Sequence, residues 1–286
     1  MKGVCPIPVF LPERPCYIAS HSCICPPAVH PDILDDSPRL AELPDFKQLI
    51  PNANLRRRMG HLLRMAVGCG LKAIENVETA DVAGIVTATG LGFMRDTLDF
   101  AGIMLDRNEE LLNPAPFMQS TFNTASGYIA QIRSVHSYNT TYVHRSGGFG
   151  AALLDSLMLC QSNRGKGVLV GAFDEVTPEV DFLRRRLGCW KNGGSGFFPA
   201  GEGAGFIYLS DNESPVRLCG LYPASNVPDC DNVIDCGAYV SRTGVSHSVL
   251  AVVLTLVLSE NHSGKVLVRD NLNDGGAAVL LDFAER

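Results

Sequence analysis

The residues best suited to chemistry are concentrated in residues 139–153. A β-rich run at 140–143 leads into a polar step, His144-Arg145-Ser146, and glycines follow at 147, 148 and 150 before a long apolar helical pattern. A strand that turns sharply into a buried helix exposes the side chain at the turn and offers it the N–H groups of the helix N-terminus. The pattern therefore makes Ser146 a candidate nucleophile.

A serine hydroxyl needs a base within hydrogen-bond reach before it can attack a carbonyl group. His144 lies two residues away, on the same side of an extended strand, and His247 and His262 are the other candidates. No carboxylate is evidently placed to orient His144. Two interpretations of Ser146 follow: an activated nucleophile, or a small polar residue that fills the turn.

Strands and helices alternate along the chain. The patterns predict strands at 16–25, 82–89, 167–173, 206–209 and 216–223 and a closing hairpin-like pair at 266–269 and 277–283. They predict helices at 55–75, 95–105, 121–132, 149–160 and 247–258, and irregular chain at 28–54, 113–117, 176–200 and 224–236. Several strands and the helices at 149–160 and 247–258 are apolar on nearly every face. We therefore expect a single domain, 1–286, with a layered α/β fold in which sheet covers a helix layer on both sides.

The composition excludes several classes of function. The chain is 46% apolar and 19% charged with a net charge of −6, which is typical of a globular protein and favours neither nucleic acid nor an anionic membrane. No apolar run reaches the ~18 residues of a membrane span, and the first residues lack a signal-peptide pattern. The ten cysteines include one close pair, Cys23 and Cys25, and no CxxC motif. We expect mostly reduced, buried, structural thiols in a cytoplasmic protein, with no metal.

A nucleotide cofactor is also not expected. The strand at 82–89 is followed by Gly90-Leu91-Gly92, but the third glycine of the dinucleotide-binding fingerprint is missing. The sequence therefore predicts no cofactor.

Several landmarks recur in the same order in one known family. They are the helix that begins near Arg56-Arg57-Arg58, the Asn-Pro-Ala-Pro-Phe loop at 113–117, the strand and turn at 139–148, the strand that ends at Asp174-Glu175, the Gly-Glu-Gly-Ala-Gly segment at 201–205, and the turn at 271–276. In this order and spacing the chain resembles the β-ketoacyl synthases of the thiolase fold, which condense acyl chains on acyl carrier proteins. The resemblance implies a thiolase-like α/β/α/β/α architecture, shortened after Gly205 relative to full-length synthases.

The chain departs from this family at the residues that carry the reaction. Ser146 occupies the position of the family's nucleophilic cysteine, and residues 139–159 contain no cysteine. The family's Thr-Gly-His segment corresponds to Thr243-Gly244, which is followed by Val245, while counting back from Leu258 gives Ser241 instead. Neither alignment gives a histidine. Thiolates are far better nucleophiles than hydroxyls near neutral pH. The resemblance therefore implies a synthase-like protein that does not condense acyl chains.

Three functions are compatible with this pattern. The first is a chain-length-factor-type partner of an active ketosynthase in fatty-acid or polyketide-like biosynthesis, resembling the small synthase-like proteins of bacterial aryl-polyene and flexirubin-type pathways. The second is a Ser146-dependent acyltransferase or thioesterase. The third is a non-catalytic homodimeric scaffold.

The resemblance also implies roles for individual residues. In this fold the strand that carries the turn pairs across a dimer interface, so we expect His144, Arg145, Gly147 and Phe149 to lie at an interface or along an acyl tunnel. Acyl carrier proteins are acidic, so Arg56, Arg57 and Arg58 form a candidate carrier-binding patch, with a second arginine triplet at 184–186 as an alternative.

Overall fold

The computed structural model describes residues 7–27, 37–188, 200–272 and 275–284. The strands are β1 (Tyr17–Ile24), β2 (Val82–Thr89), β3 (Tyr138–Val143), β4 (Gly167–Asp174), β5 (Gly203–Ser210), β6 (Val216–Pro223), β7 (Val233–Asp235), β8 (Gly264–Arg269) and β9 (Ala277–Phe283). The helices are α1 (Ala53–Arg58), α2 (His61–Ala73), α3 (Met94–Asp106), α4 (Pro114–Ser120), α5 (Thr124–Arg133), α6 (Gly148–Ser162), α7 (Pro178–Arg186), α8 (Val240–Thr243) and α9 (Val249–Leu258).

The strands form one mixed sheet in the order β3-β2-β4-β5-β1-β6-β9-β8-β7. Strand β2 runs parallel to both β3 and β4, and β7 runs parallel to β8, whereas the other neighbours are antiparallel. Strands β1 and β6 meet at a single residue pair, Tyr17 and Arg217. The sheet therefore consists of a five-stranded first half and a four-stranded second half joined at one point.

Helices α6 and α9 lie between the two halves of the sheet. Their apolar side chains share one core with residues of β2, β4 and β5 from the first half and of β8 and β9 from the second half. Helices α2 and α5 cover the other face of the first half in a second core. This order of helix, sheet, helix and sheet confirms the predicted layered α/β fold.

The outer face of the second half has a thinner cover. Its buried residues, Leu267, Ala278 and Leu280, pack against Val227 and Cys230. These last two belong to residues 224–232, which form no helix or strand. The chain therefore covers this face with a connecting segment where the resemblance implied a further helical layer.

Two predicted segments had wrong boundaries for reasons of local chemistry. The helix predicted at 55–75 is two helices, since Met59 ends α1 in extended backbone and Gly60 precedes α2. The segment predicted as irregular at 113–117 is part of α4, which the Asn113 side chain caps by accepting the Ala115 N–H. In each case a polar cap residue or a glycine defines the boundary more strongly than apolar periodicity does.

Helix α7 was also absent from the prediction. Thr177 caps it by accepting the Val180 N–H at 3.3 Å, and Pro178 occupies its first turn. Acidic residues lie in its first turn and arginines in its last, which is the charge order that suits the helix dipole. None of the helices in the described ranges is long and apolar enough to cross a membrane.

Candidate functional site

The turn between β3 and α6 has the predicted strand–turn–helix geometry. The His144 N–H donates to the Thr89 carbonyl at 3.1 Å, which fixes the end of β3 against the end of β2. Gly147 has a φ of +71°, and a Cβ built there would lie 2.9 Å from the Gly275 carbonyl oxygen. Glycine is required here because a side chain would be both conformationally strained and in contact with backbone.

Ser146 has no described base beside its hydroxyl. His144 directs its Nδ1 at the backbone of Ser146, where it accepts the Ser146 N–H at 3.1 Å and also contacts the carbonyl oxygen. Among the described residues, no hydrogen bond joins the Ser146 hydroxyl to a histidine. The turn therefore positions a serine without activating it.

His262, the most distant candidate base, lies far from the turn. Its ring centroid is 5.4 Å from that of Phe283 at the C-terminal end of β9, and its Nε2 is 3.3 Å from Glu260. The turn contacts Gly275, just before the opposite end of the same strand. At a rise of ~3.3 Å per residue, the length of β9 separates the two positions by about 20 Å.

His247 does lie beside the turn, although the sequence placed it inside a helix. Helix α9 begins only at Val249, and the His247 ring lies on the backbone of Gly90, where a Cβ would come within 2.2 Å of a ring carbon. The guanidinium of Arg184 donates to its Nε2. Burial first, and the Arg184 charge second, lower the pKa of His247 to about 4, against the opposing effect of the Arg145 backbone. The ring is therefore neutral near pH 7 and a weak base.

Asp174, at the end of β4, contacts the same end of β2 on which the His247 ring lies. Its Oδ1 accepts the Gly90 N–H at 2.8 Å and the Thr89 hydroxyl at 3.1 Å. Its Oδ2 is buried and has no hydrogen-bond partner among the described residues. Burial raises the pKa of Asp174 to about 6, and these hydrogen bonds oppose the rise. Sequence patterns gave no role to this carboxylate, whose partners lie far away along the chain.

Little space remains between these groups. The cavity bordered by Asp174, Arg184 and His247 has a volume of about 10 Å³. That is roughly the space that one water molecule needs. The described residues around Asp174, Arg184 and His247 therefore leave room for about one water molecule.

A second buried carboxylate belongs to Glu202 of the Gly-Glu-Gly-Ala-Gly segment. It accepts the Ala41 N–H at 2.8 Å and lies 2.7 Å from Nε2 of His61. This contact raises the pKa of His61, and burial raises the pKa of the nearby Glu175 to about 7. Glu202 thus joins three segments that are distant in sequence, which is a structural function.

The other predicted site residues are distributed differently. Phe149 is buried in the core between the two halves of the sheet, and its expected place at an interface or along an acyl tunnel stays a prediction. His144 and Arg145 are exposed, as an interface position requires. Arg57 and Arg58 are exposed, whereas Arg56 donates to the Ile50 carbonyl at the end of α1.

The second arginine triplet is largely engaged within the chain. Arg184 binds His247, and Arg185 forms an ion pair with Asp181 at 2.7 Å. Arg186 remains exposed. The first triplet therefore leaves more exposed positive charge than the second.

Helix α6 is less buried than its sequence predicts. Four of its residues at helical spacing, Ala151, Leu154, Asp155 and Met158, are partly or fully exposed. Beside them lies β3, which is the edge strand of the sheet and carries Val143 with 42% exposure. We call this combined face of α6 and β3 the edge surface. The prediction that α6 is covered on nearly every side is wrong for one chain alone.

The family follows from sequence comparison. The family model described as "Beta-ketoacyl synthase, N-terminal domain" matches residues 35–182, which is more than half of the chain. The chain therefore belongs to this family. No curated protein sequence is similar enough to count as a match.

Solved structures share the fold across nearly the whole chain. "The ishigamide ketosynthase/chain length factor" aligns with a TM-score of 0.69 and 16% identity over 95% of this chain and 100% of that chain. A type II polyketide synthase ketosynthase in complex with its acyl-carrier protein (AntDE:AntF) gives 0.72 and 13% over 96% and 100%. A ketosynthase (ApeO) in complex with its chain length factor (ApeC) from Xenorhabdus doucetiae gives 0.58 and 15% over 94% and 100%. At such identities the likeness shows the ketosynthase-type fold.

Proposed function

We propose that this chain is a non-condensing, chain-length-factor-type partner of an active ketosynthase in a fatty-acid-like or polyketide-like pathway of the aryl-polyene kind. The observation that carries the proposal is the uncovered edge surface. Ala151, Leu154 and Met158 leave apolar surface of α6 uncovered, which a helix normally buries against another element. An edge strand such as β3 is a template for pairing with another chain. A second chain that covers the edge surface satisfies both requirements.

We call the turn at 144–147 the elbow. The side chains at and beside it favour a partner role over a catalytic one. Ser146 replaces the thiol, its hydroxyl has no histidine bonded to it, and His247 is neutral and held by Arg184. The cavity beside His247 has room for about one water. These features favour a non-condensing partner of a ketosynthase over a Ser146-dependent acyltransferase or thioesterase.

The position of the turn at the end of the edge strand β3 explains how a protomer without condensing activity can contribute to its partner's site. The turn at 144–147 follows directly from the edge strand, and His144 and Arg145 are exposed beside it. A partner that pairs with β3 would bring its own elbow close to these residues. We therefore propose that His144, Arg145 and Gly147 contact the partner or border its acyl channel. Two of the similar structures are described as a ketosynthase with a chain length factor, and we extend that pairing to this chain.

Co-purification tests the proposal. The chain is co-expressed with a tagged ketosynthase encoded beside its gene, and the complex is isolated and its mass measured. We expect a one-to-one complex with the wild-type chain. Val143→Asp places a charge on the edge surface and should reduce recovery at least ten-fold.

A matched control comes from the opposite edge of the sheet. Val233 lies on β7, at the other edge, with 41% exposure against 42% for Val143. Val233→Asp should leave the complex intact. Failure of the wild-type chain to bind any neighbouring synthase, together with a stable homodimer that Val143→Asp disrupts, would replace this proposal by the homodimeric scaffold.

A further inference from the structure

A groove separate from the elbow runs along β1. Strand β1 pairs with β5 on one side, but on its other side it meets β6 only at Tyr17. The rest of that edge borders a groove of about 890 Å³ between α2 and α9. His21, Cys23 and Cys25 line it together. Residues two apart in extended chain face the same side, so the two thiols are neighbours.

The two thiols have different surroundings. The Cys23 sulfur lies 3.9 Å from the Val252 carbonyl of α9. Cys25 receives a hydrogen bond from Cys23 and lies beside the Arg242 guanidinium, which also bonds it. These contacts, with Cys23 the largest, lower the pKa of Cys25 to about 7, while the same hydrogen bond and burial raise that of Cys23. Cys25 is therefore the thiol that ionises first.

The charges that face the groove are mixed in sign. They are those of Glu42, Asp45, Lys72, Glu75, Arg242 and Glu260. Arg242 is the cation that touches the Cys25 thiol. A thiolate at this position is stabilised by its immediate contact and remains open to small solutes.

The other described cysteines lack this combination of a neighbour and an opening. The sulfurs of Cys16 and Cys160 are 4.0 Å apart, but both residues are buried in the core. Cys69 and Cys236 are also buried. Cys219 and Cys230 are half-buried, and their thiols donate to backbone carbonyls instead of contacting another thiol. Burial raises the pKa of Cys219. The expectation of buried thiols therefore holds for the four core residues and not for Cys23, Cys25, Cys219 and Cys230.

We propose that Cys23 and Cys25 form an oxidation site at which a hydroperoxide converts the two thiols into a disulfide. The groove admits the oxidant, Arg242 holds the attacking sulfur as a thiolate, and Cys23 supplies the second thiol. Cys25 lies just beyond the end of β1 and outside its ladder to β5. A disulfide needs Cβ atoms about 3.5–4.5 Å apart, closer than the ~6.6 Å of residues two apart in an extended strand, so closure of the bond draws the Cys25 backbone toward Cys23.

The reaction balances without another reagent. The Cys25 thiolate attacks one peroxide oxygen, the O–O bond breaks, and the leaving hydroxide takes a proton to become water. Cys25 is then a sulfenic acid. The Cys23 sulfur attacks the Cys25 sulfur, the S–O bond breaks, and the departing hydroxide takes the Cys23 proton as a second water. Two thiols lose two electrons and two protons, and hydrogen peroxide is reduced to two waters.

Peroxide titration with mass spectrometry tests the site. The reduced full chain is treated with hydrogen peroxide at pH 7, alkylated with N-ethylmaleimide, and fragmented to locate the modification. We expect Cys23 and Cys25 to be joined and protected from alkylation at peroxide concentrations at least ten-fold below those that oxidise Cys219. In Cys23→Ser, dimedone should trap a sulfenic acid on Cys25, and Cys25→Ser should abolish the fast oxidation.

Alkylation rates in the wild-type chain test the site without relying on cysteine variants that could misfold. In the wild-type chain, iodoacetamide should alkylate Cys25 at pH 7 at least ten-fold faster than Cys219, and Cys219→Ser should leave that rate unchanged. Equal rates at the two positions, or a peroxide-driven disulfide located elsewhere, would overturn the proposal. Over-oxidation of Cys25 without a bond to Cys23 would also overturn it.

Discussion

Arg184 of α7 donates a hydrogen bond to Nε2 of His247 beside the elbow. A guanidinium only donates, so it holds this nitrogen as an acceptor and the ring in its neutral form. His247 is the described histidine ring that lies against the end of β2 next to the turn. By position His247 most resembles a catalytic base, but it is bound to a cation and its pKa is lowered.

A thiol alone should therefore not restore condensation. We expect Ser146→Cys to be alkylated by iodoacetamide but to give no β-ketoacyl product with acyl-loaded and malonyl-loaded carrier protein, because Arg184 binds His247 and the cavity beside His247 has room for about one water. Mass spectrometry of the carrier protein measures the product, and Ser146→Ala is the control. Carbon–carbon bond formation by Ser146→Cys would show that the site opens in solution.

Gly147 should be intolerant of a side chain. Its φ of +71° and the 2.9 Å approach of the Gly275 oxygen to a built Cβ both penalise alanine. We expect Gly147→Ala to lower the free energy of unfolding by about 1–3 kcal/mol. Gly102 of α3 is the matched control, since a Cβ there meets nothing within 4 Å. Gly102→Ala should be neutral or stabilising by up to about 1 kcal/mol. Urea denaturation compares the two, and equal effects would contradict the assignment.

Ionisation of Glu175 should lower the free energy of unfolding as pH rises. Burial raises its pKa from 4.5 to about 7. Below about pH 4.5 the carboxyl is protonated in both states, whereas between pH 4.5 and 7 the unfolded chain releases its proton more readily. Glu175→Gln keeps an acceptor for the Arg95 N–H and removes the titration. Its stability relative to wild type should rise by the order of 2 kcal/mol from pH 4.5 to 8.

The comparison with wild type isolates this carboxyl. His247 has a lowered pKa and opposes the trend, because its protonation below about pH 6.5 favours the unfolded chain. That contribution is present in both proteins and cancels in the difference. Glu213→Gln, at an exposed carboxylate, should show no such rise. Urea midpoints across the pH range measure all three proteins, and a flat difference for Glu175→Gln would refute the assignment.

The exposed arginines of α1 give a test of carrier binding. The double variant Arg57→Glu and Arg58→Glu should weaken the affinity of the ketosynthase complex for acyl carrier protein several-fold, and more so at low salt. Arg164→Glu with Lys166→Glu, two exposed cations beyond α6, is the control of equal charge change. Fluorescence anisotropy with labelled carrier protein measures both, and equal losses would indicate a net-charge effect.

Apolar periodicity predicted the fold well where the elements are apolar. Strand β2 was predicted with its observed ends because Val82 to Thr89 is β-rich and buried throughout. Helices α4 and α7 were missed because they are short or polar and are defined by their caps, Asn113 and Thr177. Cap residues were visible in the sequence and would have revealed both helices.

The elbow was predictable and its surroundings were not. Gly147 and the glycines after it are a local signal for a strand that turns into a helix. The contacts of Asp174 with Gly90 and of Arg184 with His247 join segments far apart in sequence, so no local pattern contains them. The burial of α6 was overestimated because apolar residues at helical spacing do not show whether the chain itself covers their face, and Ala151, Leu154 and Met158 are partly or fully exposed.

The register of β1 constrains how the chain can be made. Tyr17 pairs with Ser210, and among the described strands β5 is the one to which β1 is paired along most of its length. During synthesis the first half of the sheet stays incomplete until β5 has left the ribosome, because β5 also joins β4 to β1. Such non-local pairing slows folding and leaves apolar strand edges exposed meanwhile. Until β5 has emerged, the unpaired edges of β1 and β4 therefore expose the kind of apolar surface that chaperones bind.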